Sequence, residues 1–173
     1  MISKLTHEEI VARQLTSSVQ RRAPVVVVLD NIRSLNNVGA IFRTADGAGI
    51  EKLWLCGITG YPPQGEISKI ALGAEESVSW GYAKDAVDVI GEYRRLGYQI
   101  VLLEQAHGAV AYDQFIPSCP LCLVVGNEID GVSDDLVGLA DAAIEIPMRG
   151  VKNSLNVAVA FGVAVFHLTR IRD

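Results

Sequence analysis

Short apolar runs of strand length alternate with stretches of helical period along this chain. Val25–Asp30 is a β-branched run without polar alternation, the pattern of a strand buried on both faces. Lys52–Gly57, Val78–Tyr82, Gln99–Glu104, Leu121–Gly126 and Ala142–Pro147 read as further strands. Ala86–Arg95 carries a helical pattern that Gly97 stops. Near the start, Thr6-His-Glu-Glu9 is a capping box and predicts a helix running towards Ser18. Strands alternating with helices in this way argue for the α/β class, with a mostly parallel sheet flanked by helices.

The last predicted helix, Leu155–Ile171, is apolar nearly all round. A helix without a polar face has to be covered on every side. In one small domain the sheet covers one side, so the other calls for a second chain.

Composition narrows the picture. The chain has 173 residues, half of them apolar and 20% charged, which suits one domain with a real core. The expected layout is an N-terminal helical extension, residues 1–24, followed by the main domain, residues 25–173. The formal net charge of −5 argues against a protein that coats polyanions non-specifically, while leaving room for a local basic patch. Three cysteines, Cys56, Cys119 and Cys122, do not make a disulfide framework. Cys119-Pro-Leu-Cys122 has no second pair to complete a zinc site, so no metal is expected. The N-terminus has no apolar signal core and no segment is long enough to span a bilayer, so a cytoplasmic protein is expected.

Three segments depart from core-and-surface patterning. Asn31-Ile-Arg-Ser-Leu-Asn-Asn-Val-Gly-Ala-Ile-Phe-Arg43 follows the first strand, and Asn36 or Asn37 can cap a helix that carries Arg43. Taken alone, that segment reads equally as a plain cap followed by a surface cation. Val124-Val-Gly-Asn-Glu-Ile-Asp-Gly131 ends a buried strand in a glycine-rich polar loop, where open α/β sheets hold their ligands. Glu128, Asp130, Asp134 and Asp135 lack the spacing of a calcium loop and read as solvated. In the third segment, Ile144 to Ala160, Pro147 ends a strand and Gly150 permits a bend. Asn153 or Ser154 is the expected cap there, and Asn156 is an amide inside an apolar helix that needs partners.

Together these segments resemble the SpoU or TrmH-type branch of the SPOUT RNA methyltransferases. The resemblance rests on Asn37-Val-Gly-Ala-Ile-Phe-Arg43, Gly126-Asn-Glu128, and Ile146-Pro-Met148 followed by Ser154-Leu-Asn156, in the family's order. It implies an α/β fold with a deep C-terminal trefoil knot, which ordinary chain topology would not suggest. It implies S-adenosylmethionine as cofactor, held at Leu103, Val125, Gly126, Ile146, Met148 and Leu155. It implies catalytic roles for Arg43, Asn37, Glu128, Ser154 and Asn156 in methylating a ribose 2′-hydroxyl of tRNA or rRNA. The implied partners are RNA and a second copy of the chain, whose arginine reaches the shared pocket, with an accessory protein as a further means of RNA selection. Arg21, Arg22, Arg33 and Arg149 are the candidate phosphate contacts.

Two other readings compete. A catalytically silent RNA-binding or assembly protein on the same fold is disfavoured by the intact polar set. A Rossmann-type enzyme needs a G-x-G-x-x-G turn after the first strand, where this chain has no glycine between Asp30 and Asn37.

Overall fold

The computed structural model describes residues 2–17, 22–118 and 120–170. Its strands are β1 (Ala23–Asp30), β2 (Ile50–Cys56), β3 (Trp80–Ala83), β4 (Gln99–Leu103), β5 (Val110–Ala111), β6 (Leu121–Val125) and β7 (Ala142–Glu145). They form a seven-stranded sheet in the order β3-β2-β1-β6-β4-β7-β5, and every pair of neighbours is parallel. The expected α/β architecture is therefore present. Its helices are α1 (His7–Ser17), α2 (Leu35–Ala48), α3 (Gly65–Ala71), α4 (Ala74–Ser77), α5 (Ala86–Arg95), α6 (Asp134–Val137) and α7 (Val157–Leu168).

The uninterrupted apolar runs follow from this layering. Side chains alternate across a strand, so a strand covered on both faces has to be apolar at every position. Val25, Val27 and Leu29 of β1 pack into one core with Ile41 and Phe42 of α2, Ile67 of α3 and Phe161 and Val165 of α7. Val26 and Val28 face the opposite core, with Val89 and Ile90 of α5 and Leu136 of α6. Burial on that second side pushes the thiols of Cys56 and Cys122 up to about 12, so neither is a reactive thiolate near neutral pH. Cys119 lies outside the described residues.

Several boundaries differ from the sequence expectation. β7 ends at Glu145 rather than Pro147, and β3 begins at Trp80 because Val78 closes α4. The two-residue β5 and the one- to two-turn helices α3 and α4 are too short to show a period. The N-terminal capping box is as expected: the Thr6 amide donates to Glu9 Oε2 at 2.7 Å, and the Glu9 amide to Thr6 Oγ1 at 3.3 Å. The described side chains from Ile2 to Arg13 all face solvent and add nothing to the core.

Two helix starts are corrections. α2 is capped by Ser34, whose Oγ accepts from the Asn37 amide at 3.3 Å, so neither Asn36 nor Asn37 is the cap. Asn37 instead lies in the first turn with its side chain free for other partners. α7 starts at Val157 rather than Leu155, and its cap is Asn156 rather than Asn153 or Ser154. Asn156 Oδ1 accepts from the amides of Ala158 and Val159, so Asn156 stands at the mouth of the helix and is not enclosed within it.

Candidate active site

Strands β4, β6 and β7 are neighbours in the sheet, so the loops leaving their carboxyl ends meet. Between these loops and the start of α7 lies a cavity of about 400 Å³, within the ordinary range for a small-molecule site. Leu103, Val125, Gly126, Ile146, Met148 and Leu155 all line it. So do Glu128, Ser154 and Asn156, whereas Asn37 and Arg43 do not.

Local chemistry shapes the cavity. Gly126 is buried where the loop turns back, and a Cβ there would fall on the backbone of Gly131 and Val132. Asn127 and Gly131 exchange backbone hydrogen bonds of 2.9 and 3.0 Å, closing a short turn in which Gly131 takes φ 73°. Asn127 Nδ2 donates to the Asn31 carbonyl at 2.7 Å and ties this turn to the loop after β1. On the other wall, Glu104 Oε2 accepts from the Val132 amide at 2.9 Å, and Gln105 Nε2 donates to the Asn153 carbonyl at 2.6 Å. Glu104, Gln105 and Asn127 also line the cavity, although none of them was a sequence candidate. Their signal was available, because each is a polar residue just past the carboxyl end of a buried strand.

Asn37 joins the site through its partners. Its Nδ2 donates to Glu128 Oε1 at 2.9 Å, and its Oδ1 accepts from Asn156 Nδ2 at 3.0 Å. Glu128 also accepts from the Arg33 and Ser34 amides at 3.0 and 3.1 Å. It thereby places a carboxylate at the amino end of α2, where free amides and the helix dipole favour negative charge. Burial would raise the Glu128 carboxyl, but hydrogen bonds from Arg33, Asn37 and Ser34 outweigh it and hold the pKa below 4.5.

The sign of the resulting pH dependence follows. A depressed folded-state pKa adds stability above the unfolded value, and this is lost as pH falls through the folded value. Glu128→Ala is expected to cost about 1 kcal/mol at neutral pH, as for a lost helix cap. The gap between wild type and variant in thermal melts should close as the pH is lowered below about 4.5, the usual carboxylate value. A gap that persists at low pH would assign the loss to something other than the ionised carboxylate.

Arg43 is exposed, on a different face of α2 from Asn37. Six residues separate the two, which at 3.6 residues per turn is about 120° around the axis. With Ser34 as the cap, Arg43 lies more than two turns from the helix start. It therefore does not lean onto the amino end of its own helix, an end that Glu128 already occupies.

Arg22 is also not a free cation. It donates to the carbonyls of Ile50 and Ser77 at 3.1 and 2.6 Å, at the edge of the sheet opposite the cavity. Arg33 and Arg149 are exposed on the cavity side, and Arg21 lies outside the described residues.

Residues 24–166 match the SpoU rRNA Methylase family. A tRNA (guanosine(18)-2′-O)-methyltransferase of Aquifex aeolicus is 34% identical over 89% of this chain and 72% of its own length. A 23S rRNA (guanosine-2′-O-)-methyltransferase of Vibrio parahaemolyticus is 31% identical, over 94% of this chain and 68% of the relative. Among solved structures, the A. aeolicus TrmH/SpoU tRNA modifying enzyme superposes with TM-score 0.81 at 31% identity, over 94% of this chain and 82% of that one. An AdoMet-bound rRNA methyltransferase from Sinorhizobium meliloti also gives 0.81, at 34% identity, and this chain spans only 57% of its length. With the parallel sheet and the polar loops at its carboxyl edge, these likenesses place the chain in the SpoU rRNA methylase family, among the SpoU/TrmH-type proteins.

Proposed function

We propose that this chain transfers a methyl group from S-adenosylmethionine to a ribose 2′-hydroxyl of tRNA or rRNA. The observation that carries this reading is that, in a chain of this family, one cavity gathers all six positions expected to hold the cofactor. Its size suits a nucleoside, and Gly126 lets the loop that forms one wall fold back on itself, since any side chain there would strike the backbone of Gly131 and Val132. The knot implied by the family resemblance belongs to this proposal. It is supported by the three loops packed around one cavity.

When bound, the cofactor supplies a sulfonium methyl, an electrophile that needs no metal. The residues of this chain would hold the 2′-oxygen in line with that methyl and let the hydroxyl proton pass to solvent. Alignment of this kind is worth about 7–11 kcal/mol in favourable cases. Glu128, Asn37 and Asn156 form a connected polar chain at the cavity rim and would orient the ribose. Ser154 lines the same rim and would contact the ribose or cofactor. Arg43 would stabilise charge developing on the oxygen. An arginine is a poor base, since its guanidinium stays protonated.

Arg43 can serve a cavity only across an interface, because it does not line the cavity of its own chain. The stripe of α2 that carries it also contains half-buried Ala40 and exposed Gly47, which lies against the exposed Phe166 of α7, and Val159 of the same helix is exposed too. Val159 is 53% and Phe166 52% exposed, a large apolar cost for a solitary chain. A second copy seated on this face would cover both and bring one arginine to each neighbouring cavity. Light scattering at micromolar concentration should then give twice the monomer mass, and Phe166→Glu should give monomers that bind cofactor but transfer poorly. A wild-type chain that stays monomeric would refute the shared site.

The layout proposed is an N-terminal helical extension, residues 1–24, and a methyltransferase domain, residues 25–173, working in the cytoplasm. No helix among the described residues is long and apolar enough to cross a membrane. Arg33 and Arg149 are the retained phosphate contacts, and RNA selection by an accessory protein is compatible with their small number. The test is to incubate the protein with total RNA and labelled S-adenosylmethionine, then map the labelled nucleoside. A 2′-O-methylated nucleoside in tRNA or rRNA is expected. Cofactor binding without any transfer would favour a silent RNA-binding protein.

A further inference from the structure

The carboxyl edge of the sheet continues past the cavity to β1, β2 and β3, and it carries a second built feature there. Tyr61, in the loop after β2, and Tyr82, at the end of β3, place their ring centroids 4.6 Å apart. Both rings are well exposed, Tyr61 at 44% and Tyr82 at 43%. They are the outer end of an aromatic series that begins in the core. Buried Phe42 meets Trp80 edge-on at 6.4 Å, and Trp80 meets Tyr61 at the same distance.

The loop carrying Tyr61 is held firmly. Thr59 is buried, accepts from the Ile32 amide at 2.9 Å and donates to the Leu29 carbonyl at 3.2 Å. The Ile58 amide donates to Asn31 Oδ1 at 3.1 Å, and Tyr82 donates its hydroxyl to the Gly57 carbonyl at 3.1 Å. Tyr82 is anchored by its hydroxyl and Tyr61 by Trp80, yet both residues remain more than two-fifths exposed, which leaves ring surface held in place and open to a ligand.

We propose that Tyr61 and Tyr82 form a stacking platform for an unpaired base of the RNA, a few nucleotides from the ribose being methylated. The inference rests on the methyl-transfer reading above. Base faces stack on exposed aromatic rings in many single-strand sites, with little demand on which base is present. The geometry fits, because β3 and β6 are three strand spacings apart in the sheet order, about 14 Å. Exposed Arg33, on the loop after β1, stands between the platform and the cavity, where the intervening phosphates would run. The strand would thus enter over the tyrosines, pass Arg33 and present one ribose at the Glu128 rim.

Unfractionated tRNA and a ribosomal RNA transcript serve as probes, each at fixed salt. Tyr61→Ala should weaken binding of the RNA that wild type methylates by about fivefold to a hundredfold, while cofactor affinity stays unchanged and the melting temperature falls by only a few degrees. Tyr61→Phe should bind as wild type does, because stacking uses the ring and not the hydroxyl. Substrate RNA carrying 5-iodouridine should photocrosslink to Tyr61 or Tyr82 in the wild-type protein. Equal RNA affinity for Tyr61→Ala and wild type, with crosslinks elsewhere, would overturn the platform while leaving methyl transfer intact. Failure of the wild type to bind either RNA would overturn both readings.

Discussion

Arg43→Ala is expected to lower the rate of methyl transfer by a hundredfold or more, with cofactor affinity nearly unchanged. The magnitude is that of removing one preorganised donor from a site where negative charge develops. The split between rate and affinity follows from position, since Arg43 lines no part of the cavity in its own chain. Arg43→Lys should rescue poorly, because a point charge does not reproduce the guanidinium fork. The crossing of the interface adds a sharper test. Mixing Arg43→Ala chains with Gly126→Val chains should restore part of the activity, provided that subunits exchange. One site in such a mixed dimer combines an intact cavity with an intact arginine. Single-turnover transfer on a responsive RNA measures both effects. Wild-type rates in Arg43→Ala would end the catalytic assignment. No recovery on mixing, despite exchanged subunits, would end the shared site.

Gly126→Val should abolish measurable cofactor binding and also destabilise the fold. From the sequence alone this substitution would fill the pocket and leave the fold intact. The structure changes that expectation, because the first added carbon meets the backbone of Gly131 and Val132 before it reaches any ligand. Overpacking against backbone costs about 1–3 kcal/mol, which in a chain of this size lowers the melting temperature by roughly 2–12 °C. Calorimetric titration with S-adenosylmethionine and a thermal melt together decide the matter. Wild-type affinity in a variant that melts normally would remove the cavity from the cofactor assignment.

What the sequence determined by itself was the layering and the loops that line the cavity. Val25–Asp30 and Leu121–Gly126 are apolar at successive positions, and only a sheet covered on both faces makes that pattern favourable. Ligand-facing residues sit past the carboxyl ends of such strands, so the polar loops at Gly126–Glu128 and Ser154–Asn156 stood out before their neighbours were known. The apolar last helix likewise announced a surface that one chain does not cover.

Tertiary structure decided what depends on contacts far apart in the chain. Asn37 was legible as a helix cap, the commonest local role for asparagine. Its side chain is instead claimed by Glu128 and Asn156, which are 91 and 119 residues away. Ser34 caps the helix in its place, one turn earlier. That shift puts Arg43 more than two turns from the helix start. Arg22 looked like a surface cation until its guanidinium was seen closing the loops at Ile50 and Ser77. Glu104 and Gln105 joined the cavity only because β4 lies between β6 and β7, an order that no local pattern encodes. Periodicity reports which face of an element is buried, because burial acts on each residue separately. Which polar groups pair depends on the order in which the strands assemble, and that is a property of the whole fold.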